Sequence, residues 1–172
     1  MDGIDWAASA MVAARTRLDI ATGNLANVSS NGFRAVIARG RLTAEGAKIE
    51  RAASAEHGSL VQTGRKTDMA IVGEGHFDMR DASGAVTHTR NGAFTLDRFG
   101  KLRDDAGRAL VATRLGPGAC VRTGFLETSD VNGVAEMVDV LAAQRSFESA
   151  EKVVAAIDGT RQKAANDVAR VK

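Results

Sequence analysis

The side chains able to do chemistry in this sequence are few and scattered. The histidines are His57, His76 and His88, and the one cysteine is Cys120. Zinc sites read from sequence bring such residues together in short repeated spacings, and no two of these four stand in one. Asp78, Asp81, Asp97, Asp104 and Asp105 are the carboxylates nearest to a cluster. Each falls at a strand end or in a turn, where a solvated aspartate bonding its own backbone is the ordinary occupant. The strand-to-helix serine elbow G-x-S-x-G of hydrolases is absent. Gly73-Glu-Gly75 begins a dinucleotide-binding fingerprint, but the third glycine is missing and a strand follows where a helix is required. Arg90-Asn-Gly-Ala-Phe94 has the outline of an RNA-binding strand without its stacking aromatics. The expectation is no catalytic residue, no metal ligand and no cofactor.

The chain that must position these residues has 172 of them, a net charge of +2, 44% hydrophobic residues and only 4% aromatic ones. That length makes one modest domain, with room for appended helices. With so few aromatics, burial falls to small residues, which suits alanine-rich helices in close contact. Between Asn31 and Lys66 seven Lys or Arg stand against three acids. This basic stretch leaves open a second reading, a small anion- or nucleic-acid-binding module, although it lacks a dense cationic face. A lone cysteine makes no internal disulfide. No apolar run reaches the ~18 residues needed to cross a bilayer, so membrane insertion is not expected. Ala7–Ala14 is flanked by Asp2 and Asp5 rather than by basic residues, which argues against a cleaved secretory signal.

Glycine partitions the chain. Fourteen of the 18 glycines, and the only proline, lie between Asn31 and Phe125. The ends therefore read as helices and the centre as strands and turns. In the first flank Ile4, Ala7, Met11, Ala14, Leu18, Ala21, Leu25 and Val28 keep an unbroken 3–4 spacing, an a/d seam. Arg15, Arg17, Asp19 and Asn24 lie off it and are expected to stay wet. The alternating small residues favour packing on another helix over packing on a sheet. An ordinary amphipathic helix on its own domain is the competing reading.

In the second flank the seam runs Val140, Ala143, Phe147, Ala150, Val154, Ile157, Arg161, Ala164, Val168 and Val171. Val134, Met137 and Leu141 occupy a slightly rotated face, predicting a wider buried stripe there. Asp130 or Asn132 can cap this helix, and Gly159 inside it costs about 1 kcal/mol against alanine. Period-two alternation predicts strands at 68–72, 76–80, 86–90, 93–97 and 108–112, joined by Gly- and Asn-containing turns. Residues 35–60 read as a polar connector with one strand near Val36. The fold expected is α+β: long N- and C-terminal helices packed as an antiparallel coiled coil, with a small central antiparallel β domain. In residue terms, 1–30 and 130–172 form the helical domain, 31–60 the connector and 61–125 the β-rich domain.

Asn24-Leu-Ala-Asn-Val-Ser-Ser-Asn-Gly-Phe-Arg34 resembles the N-terminal signature of the bacterial flagellar rod and hook axial proteins. Its matching positions are Asn24, Leu25, Ala26, Asn27, Val28, Gly32 and Phe33. The C-terminal signature is resembled by Leu126, Glu127, Ser129 and Val131, then by Gln144, Arg145 and Glu148. Between them, 67–77 and 89–102 are similar to the family's β domain, so the resemblance covers nearly the whole chain in order. Asp130 stands where the family commonly has Asn, Ser146-Phe147 where it has Ala-Tyr, and His76 replaces an aromatic. The passage from the β region to the last helix, Arg114 to Phe125, is short, which is more like a rod than a hook subunit.

The resemblance implies a non-enzymatic subunit of the basal-body rod. Such subunits stack through terminal helices into a hollow shaft that transmits torque and forms part of the export channel. The implied partners are copies of itself, other rod and hook axial proteins and the flagellar type III export apparatus, with no nucleic acid. The implied location is the basal body, where the rod spans the periplasm or cell wall, reached without a cleaved signal. The assembly seam would comprise Ile4, Met11, Leu18, Leu25, Val28, Met137, Val140, Leu141, Phe147, Val154 and Ile157. Aspartate at Leu18 or Val154 is expected to block assembly and spare the central domain.

Overall fold

The computed structural model describes residues 3–43 and 46–170, without the side chains of 167–170. Val171 and the side chain of Val168, the last two seam positions, lie outside the described residues. The protein is α+β and divides into two compact units. One holds residues 1–25, 36–53 and 132–172; the other holds 26–35 and 54–131.

The helical unit contains α1 (Gly3–Ala26), the strands β1 (Val36–Thr43) and β2 (Gly46–Ala53), and α2 (Gly133–Arg170). A Cβ built on Gly3 would lie 3.5 Å from Ile157 Cδ1, and Asn24 Nδ2 donates to Glu136 Oε1 at 2.8 Å. The same separation, 21 residues, parts Gly3 from Asn24 and Ile157 from Glu136, so the helices run antiparallel over that length. Ala7, Ala14 and Ala21 of α1 and Ala143 and Ala150 of α2 are buried, with Leu18, Phe147 and Val154 half-buried around them. At 1.5 Å per residue α2 is about 57 Å long. Asn132 caps it, its Oδ1 accepting from the amides of Val134 and Ala135 at 3.1 and 3.2 Å.

Three expectations are corrected in this unit. The connector holds two antiparallel strands of eight residues each, β1 on β2, with register from Val36↔Ala53 to Thr43↔Gly46. The first helix stops at Ala26, so Val28 sits in a turn and not on a helical seam. Asn24 is 2% exposed and far from wet. A second face of α1, with Ala13 and Ile20 also buried, explains both the hairpin and Asn24. Ser9 Oγ on that helix accepts from the Ala47 amide at 3.2 Å. Asn24 Oδ1 accepts from Val36 N at 2.8 Å while its Nδ2 donates to Val36 O at 2.9 Å. The side-chain amide thus mimics a neighbouring strand at the start of β1. The alanine spacing of α1 serves a hairpin as well as a helix.

The β unit contains β3 (Leu60–Gln62), β4 (Met69–Val72), β5 (Gly75–Arg80), β6 (Val86–Thr89), β7 (Thr95–Leu96), β8 (Leu102–Arg103), β9 (Ala109–Leu115), β10 (Cys120–Thr123) and β11 (Phe125–Glu127). Its largest sheet is ordered β6-β5-β9-β8-β7, and β10 pairs with β4 and β11 with β3, all antiparallel. The short passage from 114 to 125 is therefore largely strand, since β10 and β11 return to pair with earlier segments. The core is Ile71, Phe77, Met79 and Phe94, all buried, with the two rings edge-to-face at 5.2 Å between centroids.

Candidate assembly interface

The seam residues fall into two groups. Ile4, Met11, Leu18 and Leu25 on α1, and Val140, Phe147, Val154 and Ile157 on α2, are each partly buried. Their faces are largely used within the chain. Met137 and Leu141 are 55% and 56% exposed, and their neighbours Val134 and Val138 are 74% and 60% exposed. The wider buried stripe expected at the start of α2 is thus an exposed one. These four residues recur at i, i+3, i+4 and i+7 and make one apolar stripe over two turns. Val28 is 39% exposed, in the turn after α1.

Residues 32–35, at the end of the first signature, and 127–130, at the start of the second, meet within the β unit. Gly32 N donates to Glu127 O at 2.8 Å, Asp130 N to Phe33 O at 3.3 Å, and Ala35 N to Asp130 Oδ1 at 2.6 Å. The glycine is required: Gly32 has φ of 65°, and a Cβ there would strike the Arg90–Asn91 peptide. Ser129 Oγ accepts from Val131 N at 3.2 Å and closes the turn that leads to α2. Leu126 and Glu127 are buried, whereas Gln144, Arg145 and Glu148 are exposed on α2.

Under this junction lies an ion pair that neither motif revealed. Arg90 is 6% exposed and Glu127 2%. Arg90 Nε and Nη2 each lie 2.8 Å from Glu127 Oε2. Arg90 Nη1 donates to the carbonyls of Gly73 and Gly75 at 3.0 and 2.9 Å, and Nη2 to that of Ile71 at 2.9 Å. The guanidinium thus donates four hydrogen bonds and sits against the carboxylate through both Nε and Nη2. Gly73-Glu-Gly75, which resembles part of a nucleotide loop in sequence, is here the turn whose carbonyls receive an arginine.

Strand pairing also assembles a polar cluster that linear spacing hid. His76, Asp78 and His88 offer ligand atoms all within 4.8 Å of one another. Burial pushes the Asp78 carboxyl up, but hydrogen bonds from Arg114 and His88 outweigh it and hold it below the usual carboxylate range. The sequence signal was period-two alternation, which puts His76 and Asp78 on one face; only the partner strand supplies His88. Cys120 is exposed on β10.

Buried alanine faces, an exposed apolar stripe and a polar junction are what the described residues offer as a site. Comparison with known proteins gives the family. The family described as "Flagella basal body rod protein" matches residues 4–34. "Flagellar hook protein FlgE/F/G D1 domain" matches 70–140, and "Flagellar basal body rod FlgEFG protein C-terminal" matches 122–167. The basal-body rod protein FlgG of Agrobacterium fabrum is 23% identical over 251 residues, covering 92% of this chain and 96% of its own length. That alignment is longer than this 172-residue chain, so the relative carries a long stretch with no counterpart here. FlgF of Mesorhizobium japonicum is 33% identical over 75% of this chain and 61% of its own length. The hook protein FlgE of Escherichia coli K12 is 34% identical over 53% of this chain and 24% of its own. The chain belongs to the flagellar basal-body rod and hook protein family, whose members are structural subunits and not enzymes.

Proposed function

We propose that the chain is an axial subunit of the flagellar basal-body rod, polymerising through its terminal helices into a hollow shaft that carries torque and encloses part of the export channel. The observation that carries this reading is the apolar stripe Val134, Met137, Val138 and Leu141, exposed at the start of α2. Four large apolar side chains in water on one helix face are a liability for a monomer and an asset for a polymer. A stripe that meets a different surface on the next copy makes a heterologous contact, and such contacts propagate as a helix unless they close.

In this reading Met137 and Leu141 face a neighbouring subunit. Ile4, Met11, Leu18, Leu25, Val140, Phe147, Val154 and Ile157 hold the helix pair in shape for it, as a coiled coil continued between copies. Val28, with the N-terminal signature Asn24–Phe33, belongs to the segment that carries the assembly information. Gln144, Arg145 and Glu148 are exposed on α2 and available to other axial proteins. The short passage between β9 and α2 favours a rod over a hook position. Delivery by the flagellar type III apparatus, without a cleaved signal, to a rod crossing the periplasm goes with this assignment.

The test is assembly of the purified chain followed by sedimentation and negative-stain electron microscopy, with the double variant Met137→Asp/Leu141→Asp beside the natural sequence. Concentration-dependent polymers from the natural chain alone, with equal helix content in both, are expected. Polymers of equal length from the variant would overturn the proposal.

A further inference from the structure

β5 is paired on both sides, with β6 and β9, and its residues Phe77 and Met79 are completely buried. His76 and Asp78 alternate with them, so they stand together on the opposite face of a strand held from both edges. The register sets His88 of β6 directly across from Asp78 and Arg114 of β9 across from His76. His88 Nδ1 lies 2.7 Å from Asp78 Oδ1, and His76 Nε2 lies 3.2 Å from the same oxygen. The two imidazoles meet edge-to-face with centroids 4.5 Å apart. Arg114 Nε donates to the other carboxylate oxygen, Oδ2, at 3.1 Å. Asp78 is 8% exposed, but the His76 and His88 side chains are 40% and 63% exposed, so the cluster is open to solvent on one side.

We propose that His76 Nε2, Asp78 Oδ1 and His88 Nδ1 form a binding site for a divalent transition-metal cation of the Zn²⁺ class, with water completing its coordination. Two imidazoles and a carboxylate are the donor set of borderline cations, whereas Ca²⁺ and Mg²⁺ take oxygen donors. Three protein ligands with an open fourth position are an established zinc arrangement. Donor atoms around a tetrahedral zinc sit about 3.3 Å apart at ordinary bond lengths. The two imidazole-to-carboxylate distances, 2.7 and 3.2 Å, already approach that. On binding, the proton that His88 Nδ1 donates to Asp78 Oδ1 transfers through solvent to Nε2, so that each imidazole carries its one proton on the nitrogen facing away from the ion. Arg114 holds Oδ2, orients the carboxylate and leaves Oδ1 to the metal, in the manner of an outer-sphere partner. Its positive charge repels the cation, so the site is exchangeable. None of this depends on the assembly reading.

The experiment titrates the full chain with Zn²⁺ by calorimetry and with Co²⁺ by visible absorption, comparing it with His76→Gln/His88→Gln. Both imidazoles are partly exposed, so the variant is expected to keep the far-ultraviolet circular dichroism of the natural chain. His57 is retained in both and reports adventitious binding. One Zn²⁺ per chain, the absorption of four-coordinate Co²⁺, and a loss of affinity of at least about tenfold in the variant are expected. Equal Zn²⁺ affinity in the two proteins, or only the weak absorption of hydrated Co²⁺, would overturn the site. The cluster would then be a cross-strand ion network around a buried carboxylate.

Discussion

Replacing Arg90 with alanine tests the centre of the β unit. The substitution removes a guanidinium that pairs with Glu127 and donates to the carbonyls of Ile71, Gly73 and Gly75. It leaves the Glu127 carboxylate, 2% exposed, without its arginine. Removing one partner of a buried pair costs about 3–5 kcal/mol, mostly because the other charge stays buried. Three carbonyls also lose the arginine as a donor, which adds about 1 kcal/mol each where water does not reach them. Against a domain stability of about 5–15 kcal/mol the loss is large. With a urea slope of about 1–3 kcal/mol/M, the midpoint should fall by about 2 M.

The assay is urea unfolding read by amide exchange at Ile71, Phe77 and Met79. Fluorescence is unsuitable, because the one tryptophan, Trp6, lies on α1 in the other unit. Arg90→Lys keeps the charge but not the planar fork, and should recover only part of the loss. The Arg90→Ala/Glu127→Ala double variant should be less damaged than the sum of the singles, since it removes the stranded charge. A loss below about 1 kcal/mol in Arg90→Ala, or strict additivity in the cycle, would refute the reasoning.

Five further outcomes are expected. Gly92→Ala should prevent the β unit from folding, seen as lost amide protection, because an added Cβ collides with the Met69 carbonyl while the Gly92 carbonyl accepts from Met69 N at 3.0 Å. Asn24→Ala should destabilise the helical unit by about 2–3 kcal/mol, read by Trp6 fluorescence in urea, since three hydrogen bonds at 2.8–2.9 Å disappear. Gly159→Ala should raise helix stability by about 1 kcal/mol in the same assay, as nothing lies within 4 Å of the added carbon.

The last two outcomes concern pH. Burial pushes the Asp68 carboxyl up, but Arg65 and Thr63 outweigh it and hold it below the usual range. Its contribution is present above the unfolded value near pH 4 and lost as pH falls through the lower folded value, so Asp68→Asn should flatten acid unfolding of the β unit. Glu136 has the opposite sign: burial, and secondarily Asp139, raise it, against the bond from Asn24. Its contribution is lost as pH rises through the folded value, so Glu136→Gln should reduce that loss of helical-unit stability, measured by Trp6 fluorescence.

Local pattern by itself determined the two helices, the glycine-punctuated strands between them and the order of the family signatures. Helical period, turn chemistry and a capping Asn132 act within a few residues, so they are written along the chain. Ala7, Ala14, Ala21, Ala143 and Ala150 were readable as an inward face for that reason. The hairpin at 36–53 was not, because its two strands are largely exposed and carry little apolar alternation; its place comes from α1 and from the side chain of Asn24. The same holds for polar residues with two possible environments. Arg90 and Glu127, or His76 and His88, look like surface residues until strand register brings them to a partner far along the chain. Pairing across strands is a property of the assembled sheet, and only the tertiary structure decided which charges are buried, which histidines meet and which part of the apolar seam is left facing water.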